Sequence, residues 1–343
     1  MMRVLVATDA WQPQINGVVR TLQQVQALAG EFGVETHFLT PDRFFSLPMP
    51  GYPEIRLALA SAGAIAGIMD RERPDVVHVA TEGPIGLAAR RACLRRGATL
   101  TTSFHTRFPE YLHARTRFPL SLSYAFLKRF HNASHGTLVS TPSLETELRD
   151  RGFDNLMRWS RGVDLSRYKP RTASTVDWPR PVFMNVGRVA VEKNLDAFLG
   201  LDLPGTKVIV GDGPQRAELE ARYPQAIFLG ARVGAELADA YAQADVFVFP
   251  SRTDTFGMVL LEALASGLPV AAYPVMGPVD VIADTGAGVL DEDLRAAALA
   301  ALAIDRARCV EVARSYSWQA SIGQFCANLR AAHERRTSDA PPR

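Results

Sequence analysis

SRTDTFGMVLLEALASGLPV, residues 251–270, decides how the chain is read. It follows the apolar run VFVF at 246–249, and its polar residues give way to a helical pattern near Gly257. The order is strand, loop, helix. A glycine at that mouth lets a ligand approach the backbone. The N–H groups of Gly257, Met258 and Val259 add to the helix dipole to form a seat for an anion such as a phosphate. Two carboxylates frame the seat. Asp254 lies in the loop, and Glu262 stands about a turn and a half into the helix, within reach of a pair of vicinal hydroxyls. Phosphate donors beside hydroxyl acceptors suggest a sugar nucleotide. A plain helix start capped by Ser251 or Thr253, with Glu262 as a solvated charge, fits the same letters.

Upstream, PVFMNVG at 181–187 reads as another buried strand, and GRVAVEKNLDAFLG leads from it into a helix. Arg188 and Lys193, five residues apart at the carboxyl end of that strand, are placed to converge on a diphosphate, arginine by a forked contact and lysine as a point charge. Exposed charges near a helix start are the plainer reading of the pair. KVIVGDGP repeats the strand and turn, but GDGP is not a GxGxxG fingerprint, so no dinucleotide is expected there. AIFLGA and ADVFVFP supply two more strands around a helix at 234–243, and PVAAYP supplies a further one. Asp291, Glu292 and Asp293 resemble a metal-binding DxD, yet they precede an Ala-rich run and read as an acidic helix start. A closing helix begins at Ser317-Trp318, and the tail TSDAPPR is expected to be disordered.

The first half alternates in the same way. The run at 4–8 is a strand ended by Asp9; Pro13 and Asn16-Gly17 mark a loop; Val18, Leu22, Val25 and Leu28 keep helical spacing. Gly17 offers its backbone to a second phosphate contact, or simply makes a turn. VETHFLT (strand), a Pro-rich loop at 41–53, an Ala-rich helix at 58–70, DVVHVA (strand) and a helix at 83–97 follow. The strand at 98–104 runs into His105, which therefore stands where open parallel sheets bind their ligands. His131 and His135, four apart, lack a third ligand and are expected on a helix surface. A strand at 136–140, a helix and the loop RWSRGVD lead to a polar, proline-bearing linker at 167–181. Such alternation predicts an α/β chain with two doubly wound, mostly parallel sheets.

At 343 residues, with 47% apolar and 22% charged side chains, the chain has room for two cores. No run approaches the ~18 apolar residues of a spanning helix, and Asp9 comes too early for a signal peptide, so a cytosolic protein is expected. Cys93, Cys309 and Cys326 lack CxxC spacing, which speaks against disulfides and structural zinc. The net charge of +2 hides an asymmetry: residues 1–170 carry 21 Lys+Arg against 15 Asp+Glu (+6), leaving 17 against 21 (−4). Nine of the basic residues (Arg90, Arg91, Arg95, Arg96, Arg107, Arg115, Arg117, Lys128, Arg129) fall within 90–131 with one acid, Glu110. Phe104, Phe108, Tyr111, Phe118, Tyr124, Phe126 and Phe130 interleave with them. This mixture suits an anionic membrane surface, and it equally suits a solvated helix face over core aromatics. No nucleic-acid-binding motif accompanies it, and nucleic acid is not expected as a partner.

Taken together and in order, NGVVRT, SFHTR at 103–107, RGVD at 161–164, VGRVAVEKN at 186–194, GDGP and the stretch at 251–270 resemble the retaining glycosyltransferases of family 4 over nearly the whole chain. The resemblance implies the GT-B fold, two Rossmann-like domains facing across a cleft. Residues 1–170 would bind the acceptor and 180–312 the nucleotide sugar, with a helix at 316–335 packing back on the first domain. It implies Arg188 and Lys193 on the diphosphate, Glu262 on the ribose, and Phe256, Gly257 and Met258 around the nucleotide. Asn16 and Gly17 would reach the phosphate from the other domain, and His105 would lie near the donor sugar. The family's E-x7-E pair appears here as Asp254 and Glu262, the first acid one methylene short. Neither metal nor other cofactor is implied. SFHTRFPEYLHAR and TDTFG look most like the branch that glycosylates diacylglycerol and related membrane lipids. The expectation is a monomer, peripheral on the inner face of the cytoplasmic membrane, moving a hexose or hexuronic acid from a UDP-sugar or GDP-mannose to a lipid hydroxyl. Two alternatives stay open: a soluble or exopolysaccharide sugar acceptor, and a non-catalytic nucleotide-sugar-binding module suggested by the aspartate at 254.

Overall fold

The fold follows from short apolar runs that bury both their faces. The computed structural model describes residues 1–14, 16–49, 52–170 and 176–338, with the side chains of 49, 52–55, 114 and 115 outside the description. By internal contacts the chain divides into two units, Met1–Ser160 with the stretch from Gln319 on, and Arg161–Trp318.

In the first unit the chain runs β1 (Met2–Ala7), α1 (Gly17–Leu28), β2 (Val34–Leu39), β3 (Ser46–Met49), β4 (Tyr52–Ala58), α2 (Ala62–Glu72), β5 (Val76–Val79), α3 (Pro84–Arg96), β6 (Leu100–Phe104), α4 (Phe108–Thr116), α5 (Leu120–His131), β7 (Gly136–Val139), α6 (Pro142–Asp150) and β8 (Leu156–Arg158). Six strands form a parallel sheet in the order β2-β1-β5-β6-β7-β8. Leu5, Ala7, Val77 and Val79 face a core closed by Ile65, Ile85 and Ala89. Between Val77 and Val79, His78 turns the other way, edge-on to Phe325 at 5.1 Å. Its ring nitrogens meet Thr101 Oγ1 at 2.9 Å and Ser103 Oγ at 3.0 Å, and burial pushes its pKa down to about 3, so it is neutral.

The second unit runs β9 (Val182–Val186), α7 (Leu195–Leu199), β10 (Thr206–Val210), α8 (Arg216–Arg222), β11 (Ile227–Phe228), α9 (Gly234–Ala242), β12 (Val246–Phe249), α10 (Met258–Ala265), β13 (Val270–Ala272), α11 (Pro278–Ile282), β14 (Gly288–Leu290), α12 (Leu294–Ala301) and α13 (Arg306–Arg314). Its sheet is also parallel, β11-β10-β9-β12-β13-β14. Alternate residues of β12 enter two cores: Phe247 and Phe249 pack with Leu260 and Tyr241, Val246 and Val248 with Phe198 and Leu219. The expected pair of doubly wound sheets is present. The last helix, α14 (Trp318–Ser338), belongs from Gln319 on to the first unit. There Phe325 packs tilted against Trp159 at 4.6 Å, while Gln324, Ser321 and Asn328 bond the backbone of Ser160 and Arg158.

Three expectations are corrected. The Pro-rich stretch is not all loop: β3 and β4 pair antiparallel, an isolated ribbon whose outer edges tolerate proline, and Arg56 binds the Ser46 carbonyl across it. His131 is fully buried, because Tyr124, Leu127 and His131 share the inner face of α5. Its ring bonds Thr102 Oγ1 at 2.9 Å and Glu82 Oε1 at 3.2 Å, while His135 Nδ1 lies against the Leu100 backbone. Thr337 and Ser338 close α14 rather than fray, and the rest of the tail, like 171–175 of the linker, lies outside the described residues.

Each sheet reverses direction once. In the first, β2 lies on one side of β1 and β5 on the other; in the second, β10 lies on one side of β9 and β12 on the other. Loops that leave neighbouring strands toward opposite sides open a crevice at those carboxyl ends.

Candidate active site

In the second unit that crevice is bounded by the loops after β9 and β12. Gly187 starts the first loop and half-buried Arg188 follows it. Lys193 ends a 3-10 turn, and Asn194, in the left-handed region at φ 53°, ties the loop to the Pro250 carbonyl at 3.1 Å. The hydroxyls of Ser251 and Thr253 lie 3.3 and 3.4 Å from the Glu192 carbonyl. They are therefore spent on joining the two loops, and neither caps α10, contrary to that reading of the sequence. The joint brings Lys193 Nζ to 2.6 Å from Asp254 Oδ1, with the two side chains 24% and 17% exposed. The other oxygen, Oδ2, is buried and has no hydrogen-bond partner among the described residues.

Gly257, at φ 80°, is the N-cap that turns the chain into α10, and it has no side chain to close the helix with. A Cβ there would stand 3.0 Å from Leu260 and 3.2 Å from Phe249, so the glycine serves both conformation and packing. Phe256 is buried edge-on to Tyr316 at 6.1 Å; Met258 is half-buried. Glu262 is 4% exposed and accepts a hydrogen bond from the Tyr241 hydroxyl at 2.9 Å, which removes the solvated-charge reading. A carboxylate buried in an apolar helix costs several kcal/mol unless polar groups answer it, and the Tyr241 hydroxyl is one such group.

Two contributions escaped the sequence reading. The GDGP glycines are clamps: a Cβ on Gly211 would lie 1.8 Å from the Gly187 carbonyl and one on Gly213 2.3 Å from that of Val189. Backbone bonds from Gly187 to Val210 and from Val189 to Asp212 fix the Arg188 loop against this turn. The spacing of two glycines in a turn was the available signal. Tyr241 carried none, since its partner is 21 residues away on another helix.

In the first unit Asn16 is the N-cap of α1, its Oδ1 accepting from the Val19 N–H at 3.0 Å, and Gly17 is the first helical residue, exposed. The pair is a helix start and not a hairpin turn. At the end of β1, buried Asp9 receives the Ile85 N–H at 2.8 Å, the Gly86 N–H at 3.3 Å and the Thr81 hydroxyl at 2.9 Å. Its carboxylate thus closes the N-terminus of α3. Burial raises its pKa above the ordinary value against the pull of these bonds. His105 follows β6, half-buried against Trp159 at 5.6 Å.

The basic segment separates into two populations. Arg90 bonds the carbonyls of Arg129 and Phe130, Arg96 pairs with Asp70, and Arg107 is held by Glu110 at 2.9 Å and Glu147 at 3.1 Å. Tyr124 joins that cluster through Glu110 at 2.7 Å. Arg91, Arg95, Arg117, Lys128 and Arg129 remain exposed, and the Arg115 side chain lies outside the description. Leu122 and Phe126, one turn apart on α5, are 58% and 51% exposed, and Phe118, in the loop before that helix, is 42% exposed. The exposed Arg117, Lys128 and Arg129 stand next to them in sequence. Among the described residues no cluster of three or more His, Cys, Asp or Glu side chains is placed to share a metal, and no helix is long and apolar enough to cross a membrane.

Known proteins carry the same organisation. The model of Glycosyltransferase Family 4 matches residues 15–167, and that of Glycosyl transferases group 1 matches 180–306. A GDP-mannose-dependent alpha-mannosyltransferase of Mycobacterium tuberculosis is 31% identical over 376 aligned residues, covering 99% of each chain. This chain is a family 4 glycosyltransferase. As such it is a hexosyltransferase. The glycosyltransferase is also 31% identical to the sulfoquinovosyl transferase SQD2 of Arabidopsis thaliana over 74% of its own length and 55% of the other's. Against the alpha-monoglucosyldiacylglycerol synthase of Streptococcus pneumoniae it is 24% identical, over 88% and 78%. Sucrose-phosphate synthase from Thermosynechococcus elongatus shares the fold at a TM-score of 0.76 and 19% identity, covering 96% of this chain and 98% of that one.

Proposed function

We propose that the glycosyltransferase moves a hexose or hexuronic acid from a nucleotide sugar, a UDP-sugar or GDP-mannose, to a hydroxyl of a membrane lipid such as diacylglycerol, with retention at the anomeric carbon. The observation that carries the donor half is the Lys193–Asp254 pair set at the sheet reversal, beside a helix that opens on a left-handed glycine. Lys193 and Arg188 neutralise the diphosphate as charge develops on the leaving group. The N-terminus of α10, through Gly257 and Met258, adds its dipole, and Phe256 holds that loop in place. These groups supply the positive charge, and the proposal calls on no metal. Asp254 Oδ2 accepts from a hydroxyl of the donor sugar, and Glu262 from the ribose. Asn16 and Gly17 contact the phosphate and His105 the sugar. The acceptor hydroxyl attacks from the face the leaving group departs from, and the departing phosphate oxygen takes its proton.

Support for a lipid acceptor comes from the exposed Phe118, Leu122 and Phe126 with the basic residues next to them in sequence, a mixture that suits an anionic bilayer surface and a peripheral enzyme. One relative's name, alpha-monoglucosyldiacylglycerol synthase, points the same way, and another's, GDP-mannose-dependent, bears on the donor. Incubating the protein with labelled GDP-mannose, UDP-glucose or UDP-glucuronate and diacylglycerol vesicles, then partitioning between butanol and water, tests the reading. Label in the organic phase is expected. Label transferred only to water-soluble products would give the acceptor role to a soluble sugar, and binding without any transfer would leave a nucleotide-sugar-binding module.

A further inference from the structure

Glu262 is a buried carboxylate on an apolar helix, and a side chain with three rotatable bonds does not hold one orientation unless something fixes it. Tyr241 is placed to do so. Its ring is fully buried on α9, edge-on to Tyr168 at 5.8 Å and tilted against Phe247 at 5.9 Å. A phenol so wedged has two torsions and no room to use them, so its oxygen is a fixed point. From that point the hydroxyl reaches Glu262 Oε2 at 2.9 Å, with the Val259 carbonyl farther off at 3.4 Å. The single proton goes to the nearer, charged acceptor.

We infer that Tyr241 is a positioning residue for donor recognition: its hydroxyl sets the rotamer and plane in which Glu262 meets the two vicinal hydroxyls of the nucleoside. The inference rests on the proposed ribose role of Glu262. A bidentate contact to two neighbouring hydroxyls demands a defined carboxylate plane, and a one-point anchor from a rigid ring provides it.

The test compares UDP and GDP with their 2′,3′-dideoxy analogues, titrated by calorimetry into the wild type, Y241F and E262Q. The wild type is expected to prefer the ribonucleotide. In Y241F its affinity should fall by about tenfold or more while the dideoxy analogue binds as before, since hydrogen bonds to charged groups are worth roughly that factor. Full preference in Y241F, or an equal loss for both nucleotides, would overturn the positioning role. E262Q separates the two ideas: preference retained in E262Q removes the ribose reading itself, whereas preference lost in E262Q and kept in Y241F removes the Tyr241 inference alone. Should Y241F fail to fold, Y241M, which fills similar volume without a donor, is read in its place against the same outcomes.

Discussion

The starts of α3 and α10 are built from the same order of strand, loop and helix, each beside the place where its sheet reverses, and the chain treats them oppositely. At α3 the Asp9 carboxylate takes the Ile85 and Gly86 N–H groups, and the dipole is answered from within. At α10 a left-handed glycine, which has no side chain to cap with, opens the helix, and the neighbouring charges are a lysine and an aspartate bound to each other. A helix N-terminus is therefore not a phosphate seat by virtue of its position. It becomes one where no buried carboxylate of the protein takes its leading N–H groups and a cation stands nearby. On the proposed function the second unit is the donor side, and the α3 end of the first unit, closed by Asp9, is a structural joint.

The largest effect that would break this contrast is at Lys193. K193A removes the cation and leaves the α10 start intact, so turnover should fall by about 10²–10³, the usual cost of losing one preorganised charge at a developing oxyanion. The labelled-transfer assay reads it, with thermal melting to confirm the fold. Activity near that of the wild type would make the Lys193–Asp254 pair a loop fastener and nothing more.

Asp9 is the complementary change. D9A opens the α3 terminus and strands two buried N–H groups, for an expected loss of about 1–3 kcal/mol in urea unfolding, with donor affinity unaltered. D9N adds a sign to the comparison. Burial holds the Asp9 carboxyl above its ordinary 3.8, so as pH rises the unfolded chain releases this proton first. Stability from this group therefore falls between 3.8 and the raised folded value and is level above it. The wild type should show that slope relative to D9N, and parallel pH profiles would mean that Asp9 is not buried as described.

Residues 246–249, 4–7 and 182–186 announced strands because both faces are buried and, Asn185 apart, every position is apolar, and Asp254 and Glu262 were visible because their spacing survives in a short loop and helix. Asp9 gave no comparable sign. Its partners lie 72–77 residues away, and only the order of strands in the sheet brings them together. His131 was misjudged for another reason. Its spacing to His135 drew the eye outward, whereas its spacing to Tyr124 and Leu127, seven and four residues back, places it on the inner stripe of α5. The segment 90–131 could be read as basic but not sorted, because pairing with Glu110, Glu147 and Asp70 depends on packing between helices.

The smallest effect concerns Asn16, where a cap and a proposed phosphate contact coincide. Its Oδ1 holds the Val19 N–H, so N16A should cost about 1 kcal/mol in the unfolding of the first unit, while N16D, an equally good cap, should cost almost nothing. If Asn16 only caps, N16D is silent in donor binding too. If it also meets the phosphate, the new carboxylate sets a negative charge against the ligand, and donor affinity drops at unchanged stability. Measuring both quantities for both variants separates a helix start that serves only the fold, as at α3, from one that serves the nucleotide, as proposed for α10. A donor affinity that fell in N16A but not in N16D would tie the loss to helix fraying and remove Asn16 from the binding site.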